Sequence, residues 1–320
     1  MSIVNTPYDD VFRTLLNDCS GLIIPVINEV FGEHYTGKEN IIFSPNEHFI
    51  NQQDGKEEER ITDASFKILG KEEKKYHWEC QSTADNSMLV RFFEYDTQIA
   101  LDEGVIEGNV LTVTFPYSAV LFLRCTDSTP DDMKIRIVTP EGDVCYPIQV
   151  MKLKAYTIDE IFDKGMLFLI PFYIFSHESQ FEEYNTNSVR LNSLKVEYGD
   201  IINRLEGKLR KGEIDEYTKC TIVDMSGKVL EHIARKYKNV REGVKSIMGG
   251  KVLEYEAKTI RLEGRQEGRQ EGRREGRLEG RLEMLIDLVR EGMLSLSDAA
   301  SKVKLSEEEL MEKMQEYEGK

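Results

Sequence analysis

The chain has 320 residues with 42 basic and 58 acidic side chains, a net charge of −16, which excludes a broadly basic nucleic-acid coat. That length can bury a core without staples, and the five cysteines, Cys19, Cys80, Cys125, Cys145 and Cys220, form no close pair, which argues against structural zinc or a disulfide scaffold and for a reducing compartment, the cytoplasm. The polar, acidic start does not read as a secretory signal, and the longest apolar run, 166–175, is interrupted by Pro171 and is far shorter than the roughly 20 residues of a membrane-spanning helix, so no membrane partner is expected.

In chain order, 9–31 reads as one or two helices, with Phe12, Leu15, Leu16, Ile23 and Ile27 at helical spacings and Pro25 as a break. Segments 61–69 and 76–81 alternate apolar and polar residues around Gly70-Lys71-Glu72-Glu73-Lys74, the signature of a hairpin. An amphipathic helix is expected over 86–100, and strands over 110–126, 134–139 and 144–153, which are rich in β-branched and aromatic residues. Gly104-Val105-Ile106-Glu107-Gly108 lacks the following Lys and Ser or Thr of a phosphate-binding loop, so an ATPase is not expected. Run 166–175 reads as buried core, and from 157 onward the pattern is helical. The order predicts an α/β core with a helical C-terminal half. Charge divides along it: 1–110 hold 9 basic and 21 acidic residues, a net of −12, whereas 204–261 hold 14 and 9, a net of +5 that could face phosphate.

A turn centred near Glu72 pairs Lys67 with His77, Ser65 with Glu79 and Asp63 with Gln81. Side-chain alternation then sets Asp63, Ser65, Lys67, His77, Glu79 and Gln81 on one face, and Ala64, Phe66, Ile68, Tyr76, Trp78 and Cys80 on the other. Asp63 lies diagonal to Glu79, at the roughly 7 to 8 Å over which two carboxylates can share a cation. Two carboxylates and an amide suit Mg²⁺, a hard ion able to activate water for phosphodiester hydrolysis. The competing reading is a solvated sheet face whose charges pair across strands, with His77 partly exposed beside a carboxylate. Lys67 is a reserve cation on the same face.

Asp63 followed after 15 residues by Glu79-Cys80-Gln81 resembles the D...(D/E)xK signature of PD-(D/E)XK nucleases, with Gln81 at the signature Lys. The chain is similar to the Rpn group of recombination-promoting nucleases, also described as a PD-(D/E)XK nuclease family transposase, which commonly reads E-x-Q. Thr6-Pro7-Tyr8-Asp9-Asp10-Val11-Phe12-Arg13, Arg91-Phe92-Phe93-Glu94-Tyr95, Leu167-Phe168-Leu169-Ile170-Pro171-Phe172 and the Glu-Gly-Arg tail match in the same order. The resemblance implies a restriction-endonuclease-like core, a mixed sheet flanked by helices, and metal-dependent DNA cleavage in recombination or mobile-element biology. It implies Asp63 and Glu79 as ligands of Mg²⁺, with Mn²⁺ or Ca²⁺ as alternatives, and the Cys80 carbonyl completing the set. Gln81 would orient water or phosphate, Asp10 would be an accessory carboxylate, and Arg13, Arg91 and Tyr95 would contact DNA. A catalytically weak nuclease fold serving as a DNA-binding or interaction module stays open, because Gln81 cannot supply the charge of a Lys.

The expected divisions are 1–155 for the nuclease core, 156–260 for a helical extension completing it, 261–283 for the Glu-Gly-Arg repeat and 284–320 for a small helical unit. In the repeat, opposite charges stand two or six residues apart and five glycines weaken a lone helix, which leaves a self-associating helix that builds a homo-oligomer, or a tether. A helix is expected over 282–291. Ser297 and Ser306, the latter with Glu309, are N-cap candidates of a helix-turn-helix or an oligomerising cap.

Overall fold

The computed structural model describes residues 7–43, 47–51, 57–61, 64–82 and 87–249, and beyond them 285–286, 289, 294–303, 310–311 and 314. The chain divides into two compact units, Met1–Val252 and Leu253–Lys320.

In the first unit, α1 (Pro7–Asp18) buries Tyr8, Val11, Phe12, Leu15 and Leu16, spaced along one helical stripe. A 3₁₀ turn, Ser20–Ile23, leads to α2 (Ile24–Phe31), where Pro25 sits in the first turn and its missing N–H costs nothing. Pro25 therefore starts a helix rather than breaking one. Gly32, at φ 66°, ends α2 in the left-handed conformation that a side chain resists.

Among the described residues, ten strands follow in chain order. β1 (Asn40–Phe43), β4 (Ala64–Leu69), β5 (Glu73–Gln81), β8 (Tyr117–Phe122), β9 (Met133–Thr139) and β10 (Gly142–Lys152) form one sheet in the order β1-β4-β5-β8-β10-β9. β5, β8 and β10 run parallel to one another, and antiparallel neighbours β4 and β9 flank them. β2 (Glu47–Asn51) pairs with β3 (Glu57–Ile61), and β6 (Val105–Glu107) with β7 (Val110–Thr112), as separate hairpins. The expected strand over 110–126 is thus two, and β1, β2, β3 and β6 add to those expected.

Pairing in the β4–β5 hairpin differs from expectation. Ser65 lies opposite His77 and Lys67 opposite Lys75, two residues from the expected partners, because the ladder closes as far as Leu69 opposite Glu73 and leaves only 70–72 as the turn. A two-residue slip keeps every side chain on its expected face. Lys67 consequently pairs with Glu73 (2.6 Å) and Glu103 (2.8 Å), which removes it as a substitute for the signature Lys.

One sheet face, with Ala64, Phe66, Ile68, Tyr76, Trp78, Cys80, Ala119 and Leu121, belongs to a large core shared with α1, α2 and the later helices. Those are α4 (Ile158–Asp163), α5 (Phe181–Thr186), α6 (Ser188–Arg210), α7 (Glu216–Ile233) and α8 (Lys238–Ile247). The run expected as core is a 3₁₀ segment, Leu167–Gln180, with every residue from Leu167 to Phe175 buried. The helices after 156 thus share a core with the sheet. The opposite face packs Val120, Phe122 and Ile148 against Met88 and Phe92 of α3 (Met88–Leu101). α3 links parallel neighbours β5 and β8, so the three form a βαβ crossover with the β6–β7 hairpin inserted.

In the second unit, Leu285, Ile286, Ala299, Ala300 and Leu310 cluster around α9 (Leu296–Val303). The Ala299 N–H bonds the Ser295 carbonyl, so Ser295, not Ser297, holds the N-cap position. The Glu-Gly-Arg repeat and the Ser306–Glu309 capping box lie outside the described residues. No helix among the described residues is long and apolar enough to cross a membrane.

Candidate functional site

Strand alternation puts His77, Glu79 and Gln81 on the α3 face of β5. Contacts run in opposite directions along the two elements: the Lys75 ammonium bonds the Ile99 carbonyl, His77 meets Asp96, and its ring also packs 5.0 Å from Phe92. α3 therefore lies antiparallel to β5. Its first turns, with Arg91, sit at the level of Glu79 and Gln81, at the carboxyl end of the strand.

His77 is fully buried and bridges two carboxylates. Its Nδ1 is 2.6 Å from Asp96 Oδ1, and its Nε2 is 3.1 Å from Glu79 Oε1. Ser118, opposite His77 on β8, donates to the same Asp96 oxygen at 2.8 Å, and the Tyr146 hydroxyl donates to Asp96 Oδ2 at 3.3 Å. Burial and then the Asp96 charge push the Tyr146 phenol up, which keeps it a donor. At the other end the Gln81 amide lies 3.4 Å from Glu79 Oε2. A polar line thus runs from Tyr146 through Asp96 and His77 to Glu79 and Gln81. The solvated-face reading is corrected: Ser65, His77 and Ser118 are buried and Glu79 is only 6% exposed, because α3 covers this face.

Burial opposes charge on His77, but hydrogen bonds to Asp96 and Glu79, with their Coulombic attraction, outweigh it and raise its pKa to about 9. A folded-state value above the unfolded 6.5 stabilises the fold fully below about pH 6.5, and that contribution is lost as pH rises through about 9. At 1.36 kcal/mol per unit the contribution is about 3 kcal/mol. Urea unfolding should show wild type losing stability between about pH 6 and about pH 9.5, with His77→Gln lacking that component. Equal pH dependence in the two proteins would contradict a charged His77.

The structure brings Glu79 and Gln81 together. Asp63 lies outside the described residues. The Cys80 thiol is buried in the core on the other face, while Gln81 spends its carbonyl on the N–H of Leu123, the residue just past β8. Successive residues of a strand address opposite neighbours, so the Cys80 carbonyl points towards β4. Asp10 is exposed and Arg13 half-buried on α1, whose apolar stripe packs on the face opposite Glu79. The first turn of α1 nevertheless reaches the carboxyl edge: Tyr8 lies 5.9 Å from the Arg124 guanidinium, and the Arg124 N–H bonds the Ser82 carbonyl. Arg91 is half-buried. Tyr95, 3% exposed, packs edge-on to His77 at 5.9 Å, so its ring belongs beneath the sheet rather than on a DNA-facing surface.

Sequence reasoning missed Asp96, Ser118, Tyr146 and Arg124. Asp96 had a signal, an acid on the apolar stripe of Phe92, Tyr95 and Ile99. Arg124 grips Glu178 through two bonds, at 2.5 and 2.8 Å, and caps the edge. Among the described residues of the basic 204–261 stretch, several cations are spent internally: Arg204 pairs with Asp159, Lys208 with Glu213, Lys219 with Glu206, and Arg241 and Lys245 with Glu231. Among the described residues no group of three or more His, Cys, Asp or Glu is placed to hold a metal ion. No protein-family model matches the chain, and no curated protein and no solved structure matches it.

Proposed function

We propose that the chain is a divalent-metal-dependent DNA endonuclease with a restriction-endonuclease-like core, cutting phosphodiester bonds at the carboxyl edge of β5 and β8. The observation that carries this reading is Glu79: a nearly buried carboxylate hydrogen-bonded on both oxygens, beside Gln81, at the edge where strand, crossover helix and the first turn of α1 converge. Ligands of α/β sheets collect at the carboxyl ends of parallel strands.

The donors that this reading assigns, two carboxylates and the Cys80 carbonyl, are hard oxygens, the chemistry of a Mg²⁺ site. His77 directs Nε2 at Glu79 and so acts as a donor to the carboxylate, not as a ligand. A bound ion would supply a water of lowered pKa and positive charge for the scissile phosphate. The chain's own residues have separate tasks. Glu79 and Asp63 would hold the ion, Gln81 would orient the attacking water or the phosphate through its amide, Asp10 would stand as accessory carboxylate, and Arg91 and Arg13 would contact the DNA backbone.

Asp63→Ala tests the assignment. With Mg²⁺ or Mn²⁺, cleavage of supercoiled and single-stranded DNA should fall at least about 100-fold, the loss expected when a catalytic metal is displaced. A variant that cuts as fast as wild type would contradict it.

A second reading, a nuclease fold used as a binding or oligomeric interaction module, draws on exposed apolar side chains in two places, Val105, Ile106, Val110 and Leu111 of the β6–β7 hairpin and Leu89, Val90 and Phe93 of α3. Salt-sensitive DNA binding without metal binding or cleavage would select it.

A further inference from the structure

The Tyr146–Asp96–His77 chain ends on Glu79, and its hydrogen bonds have one consistent direction. Asp96 accepts from Ser118 and Tyr146, and a carboxylate offers only acceptors, so His77 Nδ1 carries the proton that closes the 2.6 Å contact. Nε2 in turn faces Glu79 Oε1, again an acceptor. Glu79 is then held on Oε1 by the imidazole and on Oε2 by the Gln81 amide, and its carboxylate cannot turn without giving up one bond.

We propose that Asp96, acting through His77, is the positioning residue for Glu79: the buried carboxylate–imidazole pair fixes the orientation of the Glu79 carboxylate at the sheet edge. The inference rests on the nuclease reading of Glu79 and adds a part that the Glu79-Cys80-Gln81 motif does not contain. Residues that orient a ligand in this way are worth about 10- to 100-fold in metal affinity or activity when removed. Ser118 and Tyr146 belong to the same device, since they leave the Asp96 carboxylate no alternative direction.

The test uses full-length Asp96→Asn and Tyr146→Phe, with Mn²⁺ affinity measured by calorimetry and kcat and KM for DNA measured separately. Asp96→Asn should lower kcat about 10- to 100-fold and weaken Mn²⁺ binding with KM for DNA unchanged, a split that general loosening of the fold would not produce. Tyr146→Phe, which removes one hydroxyl, should lower kcat by a factor of about 2 to 10, and it decides the matter alone if Asp96→Asn does not fold. Wild-type kcat and Mn²⁺ affinity in the folded variants would overturn the positioning role and leave the nuclease reading intact. A wild-type protein that neither binds Mn²⁺ nor cuts DNA would overturn both.

Discussion

Trp78→Ala should destabilise the first unit by about 3–5 kcal/mol, towards the upper end of that range. Trp78 is fully buried in the middle of the sheet, with Ala64 opposite it on β4 and Ala119 beside it on β8. Two small neighbours make the room that the indole fills, edge-on to Phe31 at 6.2 Å. Once the ring is gone, those alanines have no side chain with which to close the gap, and a cavity that cannot collapse costs most. The single tryptophan also makes the experiment specific. Its emission reports the first unit in wild type, so far-UV circular dichroism must follow the variant. Urea unfolding should place the midpoint of Trp78→Ala well below that of wild type, and a loss under about 1 kcal/mol would mean the packing around Ala64 and Ala119 is misassigned.

Asp96→Ala should cost about 3–5 kcal/mol as well, for a different reason. The substitution leaves buried Ser118 and half-buried Tyr146 without their acceptor, and fully buried His77 with one counter-charge instead of two. Burial opposes charge on His77, so the imidazole loses its proton more readily and the Nε2 contact to Glu79 weakens. The deficit should be larger near pH 6 than near pH 9.5, because the wild-type pair is charged at the lower value and released at the higher. A double-mutant cycle with His77→Gln should show coupling of about 1–3 kcal/mol, whereas additive losses would contradict a direct pair.

Much of this was legible in the sequence, within limits that have physical causes. Alternation assigned Ala64 to Ile68 and Tyr76 to Gln81 to their observed faces, because the side-chain period of a strand is two whatever the register. It could not set the register, which depends on how far the ladder closes, and the turn proved two residues tighter. The amphipathic helix expected over 86–100 is present as α3, which buries Phe92, Tyr95, Asp96 and Ile99. Short strands such as β1 and β6 carry too few residues for a period to register.

At the site, Glu79, Gln81 and His77 were placed together by local rules alone. Asp96 is 19 residues from His77, and the pair forms only because α3 docks antiparallel on β5, which no local pattern encodes. The same docking explains how His77 can be buried on a polar face: its imidazole finds Asp96 on the helix, and Asp96 in turn accepts from Ser118 on β8. Several charges of the +5 stretch answer acids on neighbouring helices, pairings that no local pattern encodes either.

The most direct measurement is cleavage of supercoiled plasmid by the full-length protein in Mg²⁺, set against Glu79→Gln, which keeps the size of the side chain and removes its charge. Wild type should nick or linearise the plasmid, and Glu79→Gln should be slower by at least about 100-fold while retaining the wild-type circular dichroism spectrum. Intact plasmid with wild type in both Mg²⁺ and Mn²⁺, or equal cutting by Glu79→Gln, would contradict Glu79 as the centre of a nuclease site.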